Sequence, residues 1–377
     1  MGTLQHHLPA FISQAWHCPE ALTLALSRCP TEEARAAFLR GQQRAGGSGG
    51  QSREKVILVA EKSSERVTIV ARPARSVGAS THLYSLPSFN DPRKDGIAAS
   101  MLSSLFDIRV PPPRDDADLL DWADRAGAES PHRTFVEDRI TALIDSPAFE
   151  AVRRVRSSRR INIEDVQPLF AFLRFATFRS PCWIAHNRAG LSARALQIFN
   201  GITLPSGSFE NNGSVGAFLR AYEDVAALLG FHSLLAGMLR SSRLTFASHT
   251  YFRLVLFDCS ESAAKFVHSD NAARPLNLKR AHRASTAAPM PMQGPGAWVV
   301  YPISPTLALG LTITGGNLHR RTVRVSADLV QRLNTGFAEL ASREVILPGS
   351  TDGLFRPPWQ LSRSRPFVEV GASGFSG

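Results

Sequence analysis

The sequence predicts an α+β fold: a β-rich N-terminal part, a helical middle and a strand-rich C-terminal part, packed as one domain over residues 1–355 and followed by a loosely packed tail at 356–377. This expectation rests on three features. Hydrophobic residues fill 44% of the 377 positions, enough for a sizeable core. Apolar residues recur at helical spacing between 135 and 240. Short β-branched and aromatic runs gather at 56–71 and again from 251 onward.

In chain order, TEEARAAFLRGQQR from Thr31 reads as a helix, with Thr31 as N-cap and acids in its first turn; it stops at AGGSGG, 45–50. VILVA at 56–60 and RVTIVA at 66–71 read as a β-hairpin. The run PPPRDDAD at 111–118 excludes regular structure. Helices are expected over 135–144, 149–160, 166–178 and 215–240, the third apolar nearly all round and therefore a core helix. Strands are expected at 251–257, 265–269, 298–303, 307–313 and 322–325, with a loop at 288–297. SADLVQRLNTGFAELAS, 326–342, is a helix capped by Ser326.

No apolar run approaches the roughly 20 residues of a membrane span. The opening MGTLQHHLPAF has no basic stretch leading into an apolar one, so no signal peptide and a cytoplasmic location are expected. Four irregularly spaced cysteines, Cys18, Cys29, Cys182 and Cys259, offer neither a disulfide framework nor a zinc knuckle. The net charge of +11 favours acidic partners such as nucleic acid. Its basic side chains are 38 Arg against 5 Lys, a skew that GC-rich coding also produces, so clustering matters more than the total. The clusters are Arg153/Arg154/Arg156/Arg159/Arg160, Lys279/Arg280/His282/Arg283 and His319/Arg320/Arg321/Arg324. On a helix Arg153, Arg156 and Arg160 share one face, which can track phosphates.

P-loop, dinucleotide, zincin and nucleophile-elbow motifs are all missing. Polar residues in apolar surroundings remain. His6 follows Gln5 and stands beside the rigid Pro9, as a base or ligand would. Glu137 flanks the apolar stripe of Ile140 and Ile144 and must be paired or exposed. Arg174 and Arg179 sit on or just past the apolar helix, where at least one is expected to meet a buried carboxylate or an anionic ligand. Ser269, Asp270 and Asn271 end a strand, placed either to bind a ligand or to close a turn. Asn334 lies on the apolar face of its helix with Val330, Phe337 and Ala341, so its amide must clamp a loop or face a pocket.

In the order of these motifs the chain resembles the bacterial family called domain of unknown function 4238. The similar segments are His6 to Pro9, RSVGASTHLYS with Tyr84, Glu137, Arg179-Ser180-Pro181, Ser269-Asp270-Asn271, Pro302-Ile303-Ser304-Pro305 and Asn334, spread over residues 5–347. Ala272 stands where the family has proline, and GIAASMLSS at 96–104 lacks an expected acid. The resemblance implies one fold across the chain and no particular activity.

Two functional expectations follow. In the first, His6, Glu137, Arg179, Asp270 and Asn334 converge on one site. Glu137 and Asp270 hold a divalent metal that activates water, and Arg179 steadies the anionic transition state. Gln5, Ser269, Asn271, Arg153, Arg156 and Arg160 then bind nucleic acid for a phosphodiesterase or nuclease, acting as a toxin or defence protein. In the second, the same polar residues are a structural network inside a non-enzymatic RNA- or protein-binding module. A metal-free transferase acting on a nucleotide is a third class.

Overall fold

A computed structural model of the chain describes residues 4–6, 8–27, 29–36, 55–62, 67–81, 137–180, 236–237, 239, 252–272, 275–277, 297–313 and 321–348. The loops at 45–50 and 111–118, the loop at 288–297 except Ala297, the basic cluster at 279–283, the tail after 355 and nearly all of the helix expected over 215–240 lie outside these residues.

Strand β1 (Leu4–His6) is followed by the short helix α1 (Ala10–Ser13), which Pro9 precedes. A 3-10 turn at Gln14–Trp16 leads to α2 (Pro19–Ser27). These helices were not expected. The segment before α2 ends in Cys18, a poor cap, so only Pro19 at the first position and Glu20 in the first turn mark its start. Thr31 does cap the next helical run, accepting the Ala34 N–H at 3.1 Å.

The expected hairpin forms from β2 (Val56–Lys62) and β3 (Val67–Pro73), antiparallel with Val59 opposite Val70. Val56, Ile57, Leu58 and Val59 are all buried, so both faces of β2 are covered. Strand β4 (Ala79–Thr81) returns to pair with β1. Gly78, at φ +68°, makes that turn, and a β-carbon there would lie 2.3 Å from Leu8 Cβ.

Residues 137–140 are helical and run into a π-helical turn at Thr141–Asp145, then into α3 (Ser146–Ser158) and α4 (Ile163–Phe178). Asp165 accepts the Asn162 N–H at 3.2 Å and so satisfies a donor at the start of α4. Helix α4 is buried nearly all round, as its composition predicts. Phe170, Phe172, Phe175 and Phe178 are each 2% exposed or less, and burying such a ring contributes about 1.5–3 kcal/mol.

The remaining elements are β5 (Phe252–Asp258), β6 (His268–Ser269), β7 (Pro275–Asn277), β8 (Ala297–Ser304), β9 (Leu307–Ile313), β10 (Arg321–Arg324), α5 (Ala327–Leu340) and β11 (Glu344–Leu347). A five-stranded sheet has the order β10-β5-β9-β8-β7, with only the β10–β5 pair parallel. A four-stranded antiparallel sheet has the order β3-β2-β11-β6.

The three-block layout is therefore corrected: helices and strands interleave along one mixed α/β domain. Helices α1 and α2 precede the first hairpin, and α5 interrupts the C-terminal strands. The late strand β11 lies between the early β2 and the late β6. Local periodicity identifies an element but not its sheet partner. The open edge of β2 needs a ladder, and the apolar EVIL segment of β11 needs cover.

On β9, Gly310 lies beneath the Phe257 and Trp298 rings, whose centroids are 5.6 Å apart. A β-carbon there would lie 2.6 Å from Phe257 Cε2 and 3.2 Å from Trp298 Cζ3. Gly310→Ala is expected to destabilise the fold by about 1–3 kcal/mol through overpacking, read as a lower midpoint in urea denaturation.

Candidate functional site

The polar residues gather in two places, and in both their partners are protein groups. The first is the segment 265–272, which leaves one sheet and enters the other. Residues 265–267 were expected in a strand, but they form none, and their backbone groups find other partners. The Phe266 N–H donates to the Pro305 carbonyl at 2.8 Å. Trp16 Nε1 donates to the Phe266 carbonyl at 3.2 Å. Asn334 supplies the rest: its Oδ1 accepts the Val267 N–H at 3.0 Å, and its Nδ2 donates to the Lys265 carbonyl at 2.7 Å. The buried amide is thus a loop clamp. Asp270 is another: its two carboxylate oxygens accept the N–H groups of Ser342 and Arg343, each at 2.8 Å. Burial pushes the Asp270 carboxyl up to about 6, with those two donors working the other way. Asn271 Nδ2 donates to Ser342 Oγ at 2.6 Å. Lys265 closes the preceding loop, donating to the carbonyls of Cys259, Ser260 and Ser262 at 3.3, 3.0 and 2.8 Å.

The second place is a buried centre under α4. Arg179, 1% exposed, meets Asp145 through two parallel contacts of 2.9 Å. The π turn at Thr141–Asp145 ends on this carboxylate, and such turns re-aim the residues that follow them. The guanidinium lies 5.5 Å from the Phe172 ring centroid and 5.9 Å from that of Phe175. Tyr301 packs edge-on against Phe172 at 5.2 Å and against His268 at 4.8 Å. Burial raises the Tyr301 phenol well above its usual range, and Arg179, Asp145 and Arg156 all act on it electrostatically. Arg156 turns inward and donates to the carbonyls of Ile303 and Phe11. Burial lowers it to about 10, so it stays charged at neutral pH.

His268 was anticipated only as a strand residue. It is 1% exposed, lies edge-on between Trp16 and Tyr301, and neither ring nitrogen has a hydrogen-bond partner. Burial lowers it from the usual 6.5 to about 3, with the Ser269 backbone weakly opposing, so the imidazole is neutral. The Ser269 hydroxyl, also buried, has no partner among the described residues. Successive strand residues face opposite sides, so the two groups do not share a pocket.

The other expected residues are dispersed. His6 lies on β1 opposite Ala79; its side chain and that of Gln5 are outside the described residues. Glu137 is half-buried on the helical run before the π turn. Arg153 is exposed and pairs with Glu150 at 2.7 Å. Arg160 is exposed at the end of α3. The helix face assigned to Arg153, Arg156 and Arg160 is thus divided, because Arg156 caps two buried carbonyls. Among the described residues, no group of three or more His, Cys, Asp or Glu side chains is placed to hold a metal ion. Sequence reading missed Asp145, Tyr301 and His268. Asp145-Ser146-Pro147 was a legible helix start, but nothing local marks the other two.

Asn334→Ala leaves a buried donor and a buried acceptor unpaired and is expected to cost roughly 2–4 kcal/mol. Asn334→Asp should not rescue it, since a carboxylate would face the Lys265 carbonyl. The neutral His268 sets a pH dependence. As pH falls through 6.5 the unfolded chain takes a proton that the folded chain refuses until about 3, so stability declines across that window. Asp270 acts oppositely between 6 and 3.8, where the folded chain takes the proton first. In denaturation series at stepped pH, the wild type should therefore lose stability relative to His268→Phe as pH falls from 6.5 toward 3, and the Asp270 contribution, common to both, should cancel.

No curated protein and no solved structure matches this chain. A family model does, over nearly the whole of the described fold. The chain belongs to the family described as Protein of unknown function (DUF4238), whose model matches residues 5–348.

Proposed function

We propose that this chain is a non-enzymatic RNA-binding module whose buried polar residues form a structural network. One observation carries the reading: Asp270, the central acid of the expected hydrolytic site, has both oxygens occupied by backbone donors at 2.8 Å. Those two donors commit Asp270 to holding the turn that joins α5 to β11. Asn334 is bound to backbone at both ends of its amide, and Arg179 forms a fork with Asp145. In this reading Asp270 and Asn334 hold an irregular segment in the core. RNA is the ligand class that suits a chain of net charge +11 with exposed arginines at the end of α3 and on β10.

The test is an RNA panel incubated with the full chain, with added divalent metals and with a chelator, scoring retention and strand length together. The expected result is retained, full-length RNA, indifferent to chelator. Asp270→Asn should lower the thermal midpoint and leave the affinity of the folded fraction unchanged. RNA shortening that needs a divalent metal and disappears in Asp270→Asn would instead support the metal-assisted phosphodiesterase, with Glu137 and Asp270 as ligands.

A further inference from the structure

The fold brings two separate basic runs of the sequence together. The end of α3 carries Arg159 and Arg160, and β10 carries Arg321 and Arg324. The Thr322 hydroxyl, on the same strand face as Arg324, donates to the Arg159 carbonyl at 3.1 Å and joins the two elements. Arg160 and Arg321 are exposed. The side chains of Arg159 and Arg324 are 51% and 79% exposed. Two carboxylates lie among them: Asp258, 3.5 Å from Arg159, and Glu261, 2.9 Å from Arg324. Three arginines on this face against two acids leave it positive, and an exposed pair such as Arg324–Glu261 exchanges partners readily.

Arg159 has a second peculiarity. It ends α3 in the left-handed conformation, φ +53° and ψ +32°, the only non-glycine residue with positive φ among those described. Glycine is the usual residue there, because a β-carbon crowds the following carbonyl. Among the described residues Arg159 has one ion pair, to Asp258 at 3.5 Å, and its own side chain is half exposed, so the pair returns little stability. An arginine kept at a strained position with little folding return is one whose side chain acts outward.

Beside these arginines lies a cleft of about 280 Å³, lined by Asp258, Ser260, Glu261, Ser262, Arg324 and Ser326 among others. None of its lining residues is aromatic, so it offers no stacking platform for bases. Guanidinium forks with hydroxyls nearby match phosphate oxygens.

We infer that Arg159, Arg160 and Arg324 form a surface that binds the phosphate backbone of nucleic acid without reading its sequence. This rests on the binding-module reading and adds the surface and the chemistry to it. Binding is salt-dependent, and each arginine removed lowers the slope of log affinity against log salt by about 0.7–1.

The experiment uses the full chain and a labelled mixed-sequence RNA oligonucleotide, titrated at several salt concentrations. Arg159→Gly, Arg324→Gln and their double variant are compared with Arg35→Gln, an exposed arginine on the helical run after α2. Arg159→Gly should leave the thermal midpoint unchanged or raised while the salt slope falls by about one. The double variant should lose about twice as much slope, and Arg35→Gln none. A shuffled RNA should bind equally well. If wild type binds RNA and the Arg159 and Arg324 variants keep its affinity and slope, the surface is wrong and the module reading stands. If wild type binds no RNA, the module reading falls with it. Retention on anionic vesicles but not on RNA, lost in the double variant, would overturn nucleic acid in favour of a membrane surface.

Discussion

The structure depends on satisfying the backbone of the buried segment 265–270. This stretch crosses from the five-stranded sheet to the four-stranded one, and over its first residues no strand ladder is available to it. Each buried N–H or C=O left unpaired would cost about 1–3 kcal/mol, so partners come from distant elements. The Pro305 turn takes the Phe266 N–H, and Trp16 reaches the Phe266 carbonyl from the N-terminal helices. Asn334 takes Lys265 and Val267 from α5, and the Glu344 carbonyl takes the Asp270 N–H. Beyond it β6 joins β11, which in turn joins the early hairpin. One irregular segment thereby ties the two ends of the chain together. It also explains why the Asn334 amide is buried: it replaces a missing ladder.

The charge buried under α4 follows the same logic. Removing Arg179 from water is tolerable only with a matched partner, and Asp145 supplies both oxygens to its fork. An uninterrupted α-helix from 137 onward would place Asp145 differently; the π turn adds the displacement that brings it to Arg179. The faces of Phe172 and Phe175 cover the guanidinium, and the edge-on series Phe172, Tyr301, His268, Trp16 continues the packing to the N-terminal helices. Within this series the His268 ring nitrogens have no close hydrogen-bond partner among the described residues, and neutrality is the condition of the ring's burial.

The polar residues then divide between inside and outside. Asp270, Asn271, Asn334, Arg156 and Arg179 are engaged with protein groups, whereas the arginines at the end of α3 and on β10 point to solvent. The strained backbone of Arg159 stands on the outer side of that division. Family membership spans both, since the matched region runs from β1 through β11.

The sequence by itself determined the elements whose signals are local. The β2–β3 hairpin, the all-round apolar α4, the Thr31 and Ser326 caps and the strands β8 and β9 all follow from spacing and end residues. It also determined that Asn334, on an apolar helix face, must have partners, and that an arginine near the end of α4 must meet a carboxylate or an anion. Which partners they take was decided only by the tertiary structure. Lys265 lies 69 residues from Asn334 and Ser342 lies 72 from Asp270, so nothing local links them. The same holds for β11 between β2 and β6, for Asp145 after its π turn, and for Arg159 beside Thr322. A periodic pattern shows which face of an element leaves water; which surface meets it depends on the packing of the whole chain.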